Sequence, residues 1–212
     1  MLNHLSISNY SIQPMIKTGL YFGSFNPVHI GHLAIAGYMT EYAGLDQVWF
    51  VVSPHNPLKK KETLLADHHR LYMTELAVWN NDHLKAIDIE FKLPAPSYTI
   101  DTLAHLKEKY ENNEFVLVMG EDNLYTLHKW KNVKTLVDNY SFYVYPRPGA
   151  IQPPHVLLEE LLSRADIHFV NAPLMELSST FIRNGIKAKK DMSYFLPPAV
   201  WKYIKEMHFY EK

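Results

Sequence analysis

The run Gly19-Leu20-Tyr21-Phe22-Gly23-Ser24-Phe25-Asn26-Pro27-Val28-His29-Ile30-Gly31-His32 holds the side chains best suited to chemistry in this sequence. Its first residues read as a buried strand, its Gly/Asn/Pro middle as a turn, and its end as a helix whose first turns carry His29 and His32. A helix N-terminus presents free backbone N–H groups and a positive dipole end, so it receives anions. Gly23 lets a phosphate approach the backbone closely. Gly31 keeps the helix surface low, and the three-residue spacing sets both imidazoles on one face, aimed at one anion. The chemistry implied is binding and charge stabilisation of an anion. The plainer alternative is that one histidine caps the helix and the other completes the core.

A second segment, Leu177-Ser178-Ser179-Thr180-Phe181-Ile182-Arg183, can begin another helix. Ser178 or Ser179 can cap it, leaving N–H groups and hydroxyls, Thr180 included, to face phosphate oxygens. Arg183, about one turn on, can reach the same anion through its fork of donors. Here the alternative is an ordinary capped surface helix ending at Asn184-Gly185. The loop Ser53-Pro54-His55-Asn56-Pro57-Leu58-Lys59-Lys60-Lys61 follows a strand on the ligand side; Lys59 or a neighbour steers a phosphate there, or the lysines form a solvated face. His68, His69 and Arg70 open the next helix. Beyond His29/His32 and this adjacent pair, the twelve histidines are too scattered to suggest a metal site.

These segments need a scaffold, and the spacing of apolar residues supplies one. Strand-sized runs are predicted over 19–22, 48–52, 87–91, 115–119, 141–145 and, more weakly, 167–170. Helix-period segments lie between them over 30–42, 67–79, 99–110 and around 133–137. The alternation predicts an α/β fold, a Rossmann-like doubly wound parallel sheet with helices on both faces, which binds ligands at the carboxyl ends of its strands. The proline pairs at 153–154 and 197–198 read as helix starts. Residues 1–15 are polar and aperiodic and are expected to form a flexible N-terminal extension before a single domain over 16–212.

Composition narrows the function classes. With 212 residues and 47% hydrophobic content the chain can bury a sizeable core. A formal charge of -1 gives no overall drive toward nucleic acid or an anionic membrane, so phosphate binding must be local. The absence of cysteine excludes disulfides, thiolate metal sites and Cys nucleophiles. No apolar run approaches the roughly 18 residues of a spanning helix. A cytoplasmic protein is expected.

The pattern Gly23-x-Phe25-x-Pro27-x-His29-x-Gly31-His32 resembles the signature of the nucleotidyltransferase branch of the class I aminoacyl-tRNA synthetase superfamily, and residues 177–183 resemble its Ile-Ser-Ser-Thr-x-x-Arg element, with Leu177 in place of Ile. Three further segments resemble the nicotinate-nucleotide adenylyltransferases: Pro96-Ser97-Tyr98-Thr99-Ile100-Asp101-Thr102-Leu103, Gly120-Glu121-Asp122-Asn123-Leu124 with Trp130, and Arg147-Pro148-Gly149. The resemblance implies that the turn at Tyr98 and Thr99 receives a pyridine carboxylate through backbone N–H groups. It also implies that Trp130 stacks on the ring, that Asp122 contacts a ribose, and that Arg147 belongs to the acceptor site. Read alone, Ser97 or Thr99 is a plain helix cap, Asp122 caps a short helix, and Trp130 is core. The activity implied is AMP transfer from ATP to nicotinate mononucleotide. His29, His32 and Arg183 would act at the phosphates, with no protein metal site and Mg²⁺ carried in with ATP. Phosphopantetheine adenylyltransferase and a non-catalytic nucleotide sensor are the alternatives, and an oligomer is left open.

Overall fold

The computed structural model describes residues 14–54, 64–151 and 155–212. Its frame is a six-stranded, wholly parallel sheet in the order β3-β2-β1-β4-β5-β6. The strands are β1 (Ile16–Gly23), β2 (Gln47–Val52), β3 (Leu84–Ile87), β4 (Asn113–Gly120), β5 (Phe142–Tyr145) and β6 (Ile167–Phe169). The helices are α1 (Ile30–Glu41), α2 (Asp67–Val78), α3 (Thr99–Lys109), α4 (Glu121–Leu124), α5 (Val133–Asn139), α6 (Val156–Arg164), α7 (Ser179–Lys187) and α8 (Pro198–Glu206).

A parallel sheet sandwiched between helices must be apolar on both sides, and the central strands are. Alternate residues of β1 and β2 feed opposite layers. Tyr21, Phe50 and Val52 face a core closed by Ile35 and Met39 of α1, Met73 of α2, Ile182 of α7 and Val200 of α8. Leu20, Trp49 and Val51 face the other, closed by Leu103 and Leu106 of α3, Leu136 of α5 and Leu158 of α6. Each fully buried side chain of this kind contributes roughly 1.5–3 kcal/mol. Among the described residues no helix is long and apolar enough to cross a membrane.

The chain leaves β1 toward β2 and β3, then crosses back to β4 on the other side. Strand order thus reverses between β1 and β4, and their carboxyl ends at Gly23 and Gly120 open a crevice. The expected third strand is corrected. It occupies Leu84–Ile87, and Ile89–Lys92 is a short 3-10 turn. The alternation Ile87, Ile89, Phe91 imitates a strand, but β2 offers no partner past Val51, which pairs with Ile87. The chain then turns so that Glu90 is buried against Thr102, whose hydroxyl donates to Oε1 at 2.9 Å. Pro198 is the first residue of α8, as its type suggested. Residues 153–154 lie outside the described residues, and the helix beyond them begins at Val156.

Candidate active site

The Gly23–His32 segment leaves the carboxyl end of β1, turns, and enters α1. Phe25 takes left-handed backbone, φ 43°, and puts its ring into the core against Tyr21 and Phe50, with centroids 5.8 and 5.3 Å away. A Cβ on Gly23 would lie 2.8 Å from that ring, so the glycine makes room for Phe25 as well as baring the backbone. The buried aromatic base then meets the histidines, since the His32 ring sits edge-on to Phe25 at 5.1 Å and to Tyr21 at 6.0 Å. Below it the Tyr21 and Tyr145 hydroxyls bond at 3.0 Å, joining β1 to β5.

His29 is the N-cap of α1 and His32 lies three residues on. Their rings stack at 3.7 Å with an angle of 24°. The His29 backbone N–H donates to His32 Nδ1 at 3.2 Å, which makes Nδ1 the acceptor and leaves the proton of a neutral ring on Nε2. Burial, and then the positive charge of Arg147, hold the His29 pKa down at about 4 from 6.5. His29 is therefore a neutral hydrogen-bonding imidazole near pH 7. A Cβ on Gly31 would come within 3.1 Å of the His29 ring, so glycine at that position gives the imidazole its place.

Ser178 caps α7 by accepting from the Phe181 N–H at 3.2 Å. The helix runs on to Lys187, past Asn184-Gly185. Its first turn docks onto the β1–α1 turn. The Ser179 hydroxyl donates to the Pro27 carbonyl at 2.8 Å, Arg183 donates to the Asn26 carbonyl at 2.8 Å, and Arg183 also reaches the Thr180 hydroxyl at 3.2 Å. Two segments about 150 residues apart, which sequence placed at one anion, thus hold each other directly.

Asp122 and Arg147, both partly exposed, form an ion pair at 3.4 Å beside Gly120. With Gly149, Glu176, Leu177 and Ser178 they line a cavity of about 330 Å³. The structure thus groups Arg147 with Ser178 and, through its charge, with His29. Sequence had divided these residues between acceptor and ATP. Tyr98, Thr99 and Trp130 occupy a different corner. Tyr98 caps α3, and its carbonyl accepts the first helical N–H groups, those of Asp101 and Thr102, at 2.9 and 3.1 Å. Lys131, next to a half-buried Trp130, lies 4.6 Å over the Tyr98 ring and pairs with Asp101 at 2.8 Å. Lys59 lies outside the described residues.

Two buried groups connect the corners. Arg70, wholly buried, donates to the carbonyls of Ser24 (2.6 Å), Ser53 (2.8 Å), Pro54 (3.1 Å) and Leu65 (3.0 Å) and pairs with Asp67 at 2.6 Å. Glu90 accepts from Ser53, Thr102 and Ser97; burial raises its pKa and these bonds oppose the rise. A chain of polar contacts thus runs from Ser24 through Arg70, Ser53 and Glu90 to Ser97 at the mouth of α3. Sequence reading noted Arg70 without a role and missed Glu90, one of two acids, with Asp88, inside an apolar alternation.

A parallel sheet with this reversal, a histidine pair at a helix N-terminus and a second helix docked onto the same turn define a nucleotidyltransferase. The cytidylyltransferase-like family matches residues 20–185. The chain is 57% identical to the probable nicotinate-nucleotide adenylyltransferase of Flavobacterium johnsoniae, over 93% of this chain and 100% of the relative. It is 44% identical to the protein of the same name from Bacteroides fragilis, over 89% of this chain and 90% of that one. In fold it is similar to the Plasmodium falciparum nicotinic acid mononucleotide adenylyltransferase solved with NaAD, with a TM-score of 0.74, 20% identity, and 92% and 97% of the two chains covered. The chain belongs to the nicotinate-nucleotide adenylyltransferases of the cytidylyltransferase-like family.

Proposed function

We propose that the chain transfers the adenylyl group of ATP to nicotinate mononucleotide. An oxygen of the acceptor's 5'-phosphate attacks the α-phosphorus in line. The bond from that phosphorus to the bridging oxygen breaks, its electron pair leaves with pyrophosphate, and nicotinate adenine dinucleotide is formed. The nucleophile is already anionic near neutral pH, so the reaction needs positioning and charge stabilisation more than a general base.

The observation that carries this reading is the stacked His29/His32 pair at the N-terminus of α1, beside the β1–β4 crevice, with Arg147 acting on it and Arg183 anchored to the same turn. In this reading His29 and His32 donate to triphosphate oxygens, assisted by backbone near Gly23, Ser24 and Phe25 over Gly31. Ser178, Ser179, Thr180 and Arg183 close the phosphates from the other side. Arg147 joins that cluster, and its partner Asp122 serves a ribose. The N-terminus of α3 at Tyr98 and Thr99 receives the pyridine carboxylate, with Trp130 as the stacking surface.

Among the described residues there is no group of three or more His, Asp or Glu that could hold a metal ion, and Asp122 is engaged by Arg147. That donor set suits a Mg²⁺ held by phosphate oxygens and water and brought in with ATP. The test is pyrophosphate release from ATP with nicotinate mononucleotide, its amide and phosphopantetheine as acceptors. Turnover dependent on the first supports the reading, and turnover only with phosphopantetheine overturns it.

A further inference from the structure

The residues after α8 turn back onto the site. His208, φ 53°, caps the end of α8, its N–H and that of Phe209 donating to the Lys205 and Ile204 carbonyls at 3.3 and 3.1 Å, and Tyr210 takes left-handed backbone again, φ 66°, which a residue bearing a Cβ keeps only where other contacts impose it. Phe209 between them packs edge-on to His69 at 4.8 Å and against Tyr203 at 5.8 Å, and the His69 ring bonds the Tyr203 hydroxyl at 2.8 Å. This folded tail delivers the Tyr210 hydroxyl to Asn26 Oδ1 at 2.7 Å, across 184 residues of sequence.

Asn26 is a junction. It is 3% exposed, and its Oδ1 also accepts the Leu65 N–H at 3.3 Å, while its carbonyl takes the Arg183 guanidinium at 2.8 Å. On one side stands Phe25, held at positive φ, and on the other Pro27, whose carbonyl takes the Ser179 hydroxyl. The β1–α1 turn has little regular hydrogen bonding of its own, so side chains from elsewhere must fix its shape.

We propose that Tyr210 is a positioning residue for the triphosphate cradle: its hydroxyl locks the Asn26 side chain, and with it the turn that anchors Arg183 and leads into the histidine pair. This rests on reading that turn as the triphosphate site. The phenyl ring and Phe209 suffice to pack the tail, whereas the hydroxyl acts on the turn. Removing the oxygen alone therefore separates the two effects.

The experiment compares wild type, Tyr210→Phe, Asn26→Ala and the double variant in steady-state pyrophosphate release, with thermal unfolding as the check on folding. Tyr210→Phe is expected to unfold within about 3 °C of wild type, since net hydrogen bonds are small. Its kcat should fall about five- to twentyfold and its KM for ATP rise about threefold or more, with the acceptor KM within about twofold. In the Asn26→Ala background the same change should add nothing, because the partner is gone. Unchanged kcat and ATP KM, an equal rise in both KM values, or full additivity overturns the proposal. Calorimetric binding of α,β-methylene-ATP separates it from the reaction assignment. A wild type inactive with nicotinate mononucleotide sinks the assignment alone, and Tyr210 is then judged by analogue affinity, expected about threefold weaker in the Phe variant. Equal affinity, or no binding by the wild type, overturns it.

Discussion

His29 pays for its place at the head of α1 in desolvation. In the unfolded chain an ordinary histidine takes its proton near pH 6.5, while the folded ring declines it until about pH 4. Between these values the unfolded state binds the extra proton, so stability is complete above pH 6.5 and falls as the pH drops toward 4. The gap corresponds to roughly 3 kcal/mol at most. Burial lowers the pKa of His69 and His128 in the same direction, so the diagnostic quantity is the difference between wild type and His29→Gln. Denaturant melts across that pH range should show a shallower acid loss in the variant. His32→Ala should keep the fold and lower kcat more than tenfold, since one donor to developing charge is worth about 2.7–4 kcal/mol. With His29→Ala added, the losses should fall short of additive in single-turnover kinetics if, as proposed, both rings serve one anion.

Helix ends, rather than helix faces, build this site. Four of them meet the sheet here: α1 brings the histidines, α7 docks onto their turn, α3 opens at the proposed acceptor corner, and α2 contributes Arg70. Arg183→Lys retains charge but cannot span the Asn26 carbonyl and the Thr180 hydroxyl with a planar fork. ATP affinity and turnover should both decline, by about tenfold, as titration and initial rates would show. Arg70→Met should act on the frame. It strips donors from four carbonyls in three loop segments, each costly when left unpaired, and should lower stability by roughly 3 kcal/mol or more in denaturant melts.

Across the whole molecule the proposed substrate pair is divided between the strand reversal and the mouth of α3. In the proposed reading phosphate-facing groups gather at the ends of β1 and β4, and the Tyr98/Trp130 corner lies at the mouth of α3. The polar chain through Arg70, Ser53 and Glu90 fixes their separation. A corner that offers N–H groups to a carboxylate, as proposed, should reject the amide, whose own donor would face those same N–H groups. At least about tenfold higher kcat/KM for nicotinate mononucleotide than for its amide is expected. Trp130→Ala should raise the acceptor KM far more than the ATP KM. Equal use of both acceptors, or an unmoved acceptor KM, in steady-state assays would return Trp130 to the core.

Much of this was legible before any coordinates. Runs such as Val48–Val52 can only be buried on both faces, which makes a parallel sheet, and Gly23 to His32 announces a strand, a turn and a helix N-terminus through local residue types alone. Local chemistry also marked Ser178 or Ser179 as a cap and the 197–198 proline pair as a helix start, because caps and first turns are satisfied by neighbours in sequence. What sequence could not show was which distant groups share a bond. Ile87 to Phe91 alternates like a strand, yet its latter half curls, because the ladder depends on where β2 ends. Arg147 shares one cavity with Asp122 and Ser178, a grouping decided by how β4, β5 and α7 pack. Arg70, Glu90 and Tyr210 gave little local sign of their roles, since a buried polar side chain is defined by partners that only tertiary folding brings within reach.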